Sequence, residues 1–243
     1  IPEFWRLVIE SQLLPTEECQ RLGQQFGYVK GAAAQGNART LAEWLVAQNV
    51  ISRYQATILL GGRAGPFAYG DYKVYDRVEG GPLDGQFKAV HASVGHPVIL
   101  QFFAGDAVAD PQRWSAVAQR AQQATKLNHP HWWRSFELAD LEQFKFLAVA
   151  HHAGQSVHQR LSPSGTIAHQ EACRIAYQVA LALARAHDAG FIHGDIRPAN
   201  IMLDRQGRGV LWCNAAQPVS PISSTADPAT AARADYAAPE LAQ

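Results

Sequence analysis

The stretch that most constrains this chain is Phe191-Ile192-His193-Gly194-Asp195-Ile196-Arg197-Pro198-Ala199-Asn200-Ile201-Met202-Leu203-Asp204. It follows the clearest helical pattern in the sequence. From Ala168 to Gly190, the residues Ala172, Ile175, Ala176, Val179, Leu183 and Ala186 keep to one face, and Gly190 supplies the stop. The polar stretch Gly194–Asn200 leads into the apolar run Ile201-Met202-Leu203. Asp, Pro and Asn also build ordinary turns, so the reading depends on how far the match extends on either side.

It extends far. The stretch resembles the catalytic loop of eukaryotic-type (Hanks-type) serine/threonine protein kinases, His-Arg-Asp-Leu-Lys-Pro-x-Asn followed by apolar residues. The resemblance puts Asp195 at the catalytic aspartate, Asn200 at the metal-binding asparagine, Arg197 at the loop lysine and Gly194 at the arginine. In that family the carboxylate accepts the proton of the substrate hydroxyl while the asparagine holds Mg²⁺ on the phosphates. Ala186-His187-Asp188-Ala189-Gly190 and Leu127-Asn128-His129-Pro130 also resemble family motifs, as does Tyr236-Ala237-Ala238-Pro239-Glu240. His193 then corresponds to a packing histidine rather than a proton shuttle.

The implied fold is α+β, a bilobal kinase-like architecture spanning Tyr69 to Gln243. An N-lobe and hinge occupy residues 69–153, with a five-stranded sheet. A helical C-lobe over 154–243 is cut short after the Ala-Pro-Glu motif. Strands are predicted at 72–78, 86–91, 98–103 and 144–149, and an amphipathic helix at 111–127. Residues 150–154 stand at the hinge and Val149 at the gatekeeper position.

The resemblance places ATP at Val78, Gly81, Gln86, Ile99, Gln101, Val149, His151 and Met202, with Mg²⁺ at Asn200 and Cys213. Many of these positions depart from the pattern. The glycine-loop positions hold Glu79, Gly81, Asp84 and Gln86, so carboxylates replace bare backbone near the phosphates. Gln101 replaces the strand lysine, and Ile99 replaces a small alanine of the adenine slot. The helix glutamate falls at Arg120, and there is no Asp or Glu between Asp110 and Glu137. The metal-binding aspartate falls at Cys213, or at Asn214 after a one-residue shift. A thiol or an amide is a poor anchor for a hard cation.

Residues 1–62 read as a helical domain of two helix–turn–helix copies, joined to the rest by a linker at 63–68. Val8–Pro15 aligns with Leu45–Ser52, and Pro15-Thr16 and Ser52 are helix-start signals. A helical module followed by a kinase-like domain resembles an arrangement in planctomycete serine/threonine kinases. The second copy offers only Arg53 and Arg63 as cations, too sparse for a phosphate footprint, so nucleic acid is not the expected partner.

Composition supports this. Lys plus Arg equals Asp plus Glu at 21 each, which gives no general attraction to nucleic acid or anionic membranes. No apolar run is long enough to span a bilayer. Cys19, Cys173 and Cys213 are odd in number and far apart, which suggests reduced thiols and a cytoplasmic setting. The start at Ile1-Pro2-Glu3 reads as a piece of a longer polypeptide. The histidines at 129, 131, 151, 152 and 158 lack zinc-type spacing. Three functions are expected in order: a pseudokinase that engages a protein partner as a signalling, scaffold or allosteric module; an active serine/threonine kinase in which Lys88, Lys126 or Arg120 replaces the lost lysine; and a purely structural interaction module.

Overall fold

The structure, a computed structural model, describes residues 1–30, 37–162, 165–216 and 235–238. The expected Gly- and Ala-rich connection at 31–37 lies almost wholly outside these residues, as do the expected activation segment at 218–233 and the end of the Ala-Pro-Glu motif. The chain forms two compact units, Ile1–Val78 with Phe87–Val98, and Glu79–Gln86 with Ile99–Gln243.

The first unit begins with α1 (Pro2–Glu10), α2 (Thr16–Lys30), α3 (Ala38–Ala47) and α4 (Arg53–Leu60), followed by β1 (Ala68–Tyr69), β2 (Tyr72–Arg77) and β3 (Phe87–His91). Local chemistry sets the helix starts. Asn37 caps α3 by accepting from the backbone N–H groups of Arg39 and Thr40. Ser52 and Gln55 form a reciprocal capping box on α4. The two aligned turns share a backbone signature: Gln12 and Asn49, paired by the sequence alignment, both take φ of +57°. Their N–H groups bond the carbonyls of Ile9 and Val46, which are also paired, at 3.0 Å each.

Phe4, Leu7, Val8, Phe26, Leu41, Leu45 and Leu59 form the core of this unit together with Phe67. Phe67 lies inside the stretch expected to be a linker; it is buried, and its carbonyl accepts from Val74 N–H at 2.7 Å. The Gln55 side chain donates to the Val74 carbonyl at 2.8 Å, joining α4 to β2. Compactness therefore does not divide the chain at 63–68, because the apolar residues there and the amide of Gln55 bind helices and strands into one body.

Strand β4 (Pro97–Phe103) starts in the first unit and runs into the second, which continues with α5 (Asp106–Ala109), α6 (Pro111–Lys126), β5 (Ser135–Asp140) and β6 (Lys145–Ala150). After these come β7 (Gln155–Ser156), α7 (Val157–Leu161), α8 (His169–Asp188), β8 (Ile201–Leu203) and β9 (Gly209–Leu211). The large sheet has six strands in the order β1-β2-β3-β4-β6-β5; the short β1 adds one to the expected five. A small antiparallel sheet, β7-β8-β9, supports the loop after α8. Trp132, Ile175, Val179, Ala182, Ala186, Phe191, Leu203 and Leu211 form the core beneath it. Gly154, in the hinge, is required by close approach: a Cβ there would lie 1.9 Å from the Leu203 carbonyl oxygen.

Candidate functional site

Helix α8 ends in a paired C-terminal cap. Gly190 takes φ of +71°, its N–H bonds the His187 carbonyl at 2.8 Å, and Phe191 N–H bonds the Ala186 carbonyl at 2.9 Å. This reversal delivers the polar loop onto β9. His193 is buried and bonded through both ring nitrogens. Nε2 donates to the Trp212 carbonyl at 3.0 Å and Nδ1 accepts from Asp195 N–H at 3.1 Å. Burial pushes its pKa down to about 4, and the nearby Arg120 charge adds to the effect. The imidazole is a neutral brace between the loop and the segment that follows β9. Gly194, where the kinase pattern has arginine, takes φ of +77°, which glycine adopts without strain.

The turn at Pro198–Asn200 brings three expected residues together. Asn200 Nδ2 donates to the Asp195 carbonyl at 2.8 Å and to its carboxylate at 2.7 Å. Arg197 Nε lies 3.2 Å from the same carboxylate. A cavity of about 280 Å³ is lined by Arg197, Asn200, Gly81, Trp212 and Asn214 among others. Of the expected nucleotide residues, Gly81 lines it. Ile99, Gln101, Val149 and Met202 are buried side chains outside its wall, Gln86 is half-buried with Oε1 accepting from Phe102 N–H at 2.8 Å, and His151 is half-buried. Val78 belongs to the first unit.

The glycine-loop stretch satisfies itself: Gly80 N–H donates to Asp84 Oδ1 at 2.5 Å, and Leu83 is buried. A side-chain carboxylate thus takes up a backbone N–H of the kind that faces phosphate in the resemblance.

Gln101, at the position the resemblance gives to the lysine, and Asn214, the shifted alternative for the aspartate, are both amides, and they bond each other. Gln101 Nε2 donates to Asn214 Oδ1 at 2.8 Å, and Ala216 N–H donates to the same oxygen at 3.1 Å. The Ala216 donor fixes the orientation of the Asn214 amide, which in turn obliges Gln101 to donate. Gln101 Oε1 is then left buried with no partner among the described residues.

Cys213, expected as a metal ligand, is not at the cavity wall. It is buried, its Sγ lies 3.2 Å from Arg120 Nη2, and burial pushes the thiol up to about 11, against the pull of that guanidinium. Asn214, the alternative reading, lines the cavity, whereas Cys213, in the segment after β9, is turned toward Arg120 of α6.

The groups present do not fit Mg²⁺ held as in the kinase pattern. Both acceptor sites of Asn214 Oδ1 are filled by protein donors, the neighbouring sulfur is a protonated thiol, and the Asp195 carboxylate already accepts from Asn200 and Arg197. Nor do the three candidate substitutes for the lysine bring charge to the cavity wall. Lys88 pairs with Asp76 on the adjacent strand at 2.8 Å, Lys126 is exposed at the end of α6, and Arg120 bonds backbone carbonyls. His131 Nδ1 bonds the Gly209 carbonyl at 2.9 Å, and His129 Nδ1 accepts from His131 N–H at 3.2 Å. Among the described residues no three His, Cys, Asp or Glu side chains converge on a point.

A sequence profile of the protein kinase domain matches residues 83–241, well over half of the chain. The chain belongs to the protein kinase domain family. Its relatives are bacterial serine/threonine kinases. It is 32% identical over 137 residues to serine/threonine-protein kinase pkn3 of Myxococcus xanthus, covering 55% of this chain and 24% of that protein. It is 24% identical over 138 residues to PrkC of Bacillus subtilis, covering 57% and 21%. The chain thus spans about a quarter or less of the length of these curated relatives. The crystal structure of the Mycobacterium tuberculosis PknI kinase domain matches with a TM-score of 0.56 at 20% identity, over 62% of each chain, which shows the shared fold. Among the described residues, no helix of this kinase-family chain is long and apolar enough to cross a membrane.

Proposed function

We propose that this kinase-family domain has lost ordinary phosphoryl transfer and serves as a signalling, scaffold or allosteric module that engages a protein partner. The observation that carries the reading is the Gln101–Asn214 amide pair. Where the family sets a lysine on the phosphates and a carboxylate on Mg²⁺, two neutral side chains are closed on each other and on Ala216 N–H. Asp195, Arg197 and Asn200 are the retained half of a site whose charged other half has been replaced. The degenerate nucleotide cleft is assigned to Gly81, Gln86, Ile99, Gln101, Val149, His151 and Met202, and the helical stretch 1–62 to docking. The self-bonded glycine loop supports the same view.

An active serine/threonine kinase with a rearranged site is the second reading. It is favoured by the geometry of the retained half, where Asn200 still orients the Asp195 carboxylate, and by the names of the relatives.

Thermal unfolding with ATP, with and without Mg²⁺, together with transfer of labelled phosphate to a generic serine-rich protein, separates the two. A ligand that binds only the folded state raises its stability by an amount set by concentration over Kd. The proposal expects no Mg²⁺-dependent shift and no transfer in the natural sequence. It also expects a Mg²⁺-dependent shift to emerge in the Gln101→Lys/Asn214→Asp double variant. Phosphate transfer by the natural sequence, abolished in Asp195→Asn, would establish the second reading instead.

A further inference from the structure

Helix α6 carries a cation where the kinase pattern has the glutamate that ties this helix to the strand lysine, and that cation is engaged elsewhere. Arg120 Nη1 donates to the Ile192 carbonyl at 2.8 Å, and Nη2 donates to the His193 carbonyl and meets Cys213 Sγ at 3.2 Å. The guanidinium also stands over the Phe191 ring, 4.6 Å from its centroid. One side chain on α6 therefore grips two successive carbonyls, a ring and a thiol at the point where α8 turns into the catalytic loop. The two carbonyls are consecutive in a segment with no regular hydrogen-bonding partner, and His193 is buried, so its carbonyl needs a protein donor. A planar fork can serve two neighbouring carbonyls at once while its face lies on an aromatic ring, and a lysine cannot.

The usual tether of this helix is absent. Gln101 bonds Asn214, and Gln101 Oε1 and Arg120 Nε are each buried without a partner among the described residues, so the two side chains do not bond each other.

We propose that Arg120 is a built-in clasp that fixes α6 to the catalytic loop whether or not a nucleotide is present, so that the position of this helix is not a ligand-driven switch in this protein. Cys213 belongs to the same device. An aspartate at that buried position would pair with Arg120 and draw it off the loop carbonyls, whereas a neutral thiol leaves the fork free to hold them. The inference does not depend on whether phosphoryl transfer survives.

Hydrogen–deuterium exchange on the full chain tests it, comparing the natural sequence with Arg120→Met and Arg120→Lys and reading peptides from α6, from residues 191–195 and from α3–α4. In the natural sequence α6 and the loop should exchange slowly without nucleotide, and ATP with Mg²⁺ should not slow α6 further. Arg120→Met should speed α6 and 191–195 together by about tenfold or more, the factor for losing one hydrogen bond to a charged group. The α3–α4 peptides, in the other compact unit, should not change. Arg120→Lys should give an intermediate rise, and it carries the test if Arg120→Met also speeds α3–α4 through global unfolding. The clasp is overturned if Arg120→Met speeds neither segment or only α6, if Arg120→Lys exchanges like the natural sequence, or if ATP with Mg²⁺ slows α6 in the natural sequence. Phosphate transfer in the preceding assay would remove the pseudokinase reading and leave this one standing, because exchange reports the helix and not the chemistry.

Discussion

Replacing the brace of the catalytic loop, His193→Gln, should flatten part of the acid sensitivity of the fold. His193 is buried and neutral, with a pKa of about 4 against about 6.5 for a free histidine. Between those two values the unfolded chain binds a proton that the folded chain refuses, so stability rises with pH across the window. The contribution of this group is complete above about pH 6.5, is lost as pH falls, and levels off near pH 4. A gap of about 2.5 units at 1.36 kcal/mol each gives roughly 3 kcal/mol, of which about 2–3 kcal/mol is lost by pH 4.5. Glutamine can donate to the Trp212 carbonyl and accept from Asp195 N–H but cannot titrate. Urea unfolding followed by tryptophan fluorescence, at about pH 7 and about pH 4.5, gives the loss for each protein. His129 and His152, whose pKa values burial also lowers, titrate in both proteins and cancel in the difference. The natural protein should lose about 2–3 kcal/mol more than His193→Gln over this interval. Equal losses, within about 0.5 kcal/mol, would refute the account of a buried neutral imidazole.

Two further outcomes are expected. Gly154→Ala should destabilise the protein by about 3 kcal/mol, since its Cβ would fall 1.9 Å from the Leu203 carbonyl and the overlap is with backbone; a loss under about 1 kcal/mol in a urea melt would show that the hinge yields easily. Iodoacetamide at about pH 8 should label exposed Cys173 and spare buried Cys213, whose thiol is pushed up to about 11. Peptide mass spectrometry reads this directly, and equal labelling would contradict the burial of Cys213 against α6.

Where local pattern is strong, the sequence reads well. The helix expected over 168–190 is α8 at His169–Asp188, and the one expected over 111–127 is α6 at Pro111–Lys126, capped by Asp110. The strands expected at 72–78, 98–103 and 144–149 fall within about a residue of β2, β4 and β6. Strand β5 was not legible. Ser135-Phe136-Glu137-Leu138-Ala139-Asp140 has no β-branched residue and leaves several side chains to solvent, so it is a strand only because β6 lies beside it. The stretch 63–68 read as a linker because glycine and proline dominate it, yet Phe67 is drawn into the core of α1–α4.

By itself the sequence determined the local cluster in the loop after α8. Asp195, Arg197 and Asn200 lie within one turn, and a turn is a local object that residue order specifies. It also gave the count from fixed motifs that sets Gln101 and Arg120 at the family's lysine and glutamate positions, and left the aspartate position between Cys213 and Asn214. What replaced those charges was decided by the tertiary structure. The Gln101–Asn214 bond joins residues 113 apart, and Arg120 reaches carbonyls and a thiol 72 to 93 residues away. Such bonds depend on which way each residue of the segment after β9 faces, and a shift of one position there exchanges Cys213 for Asn214.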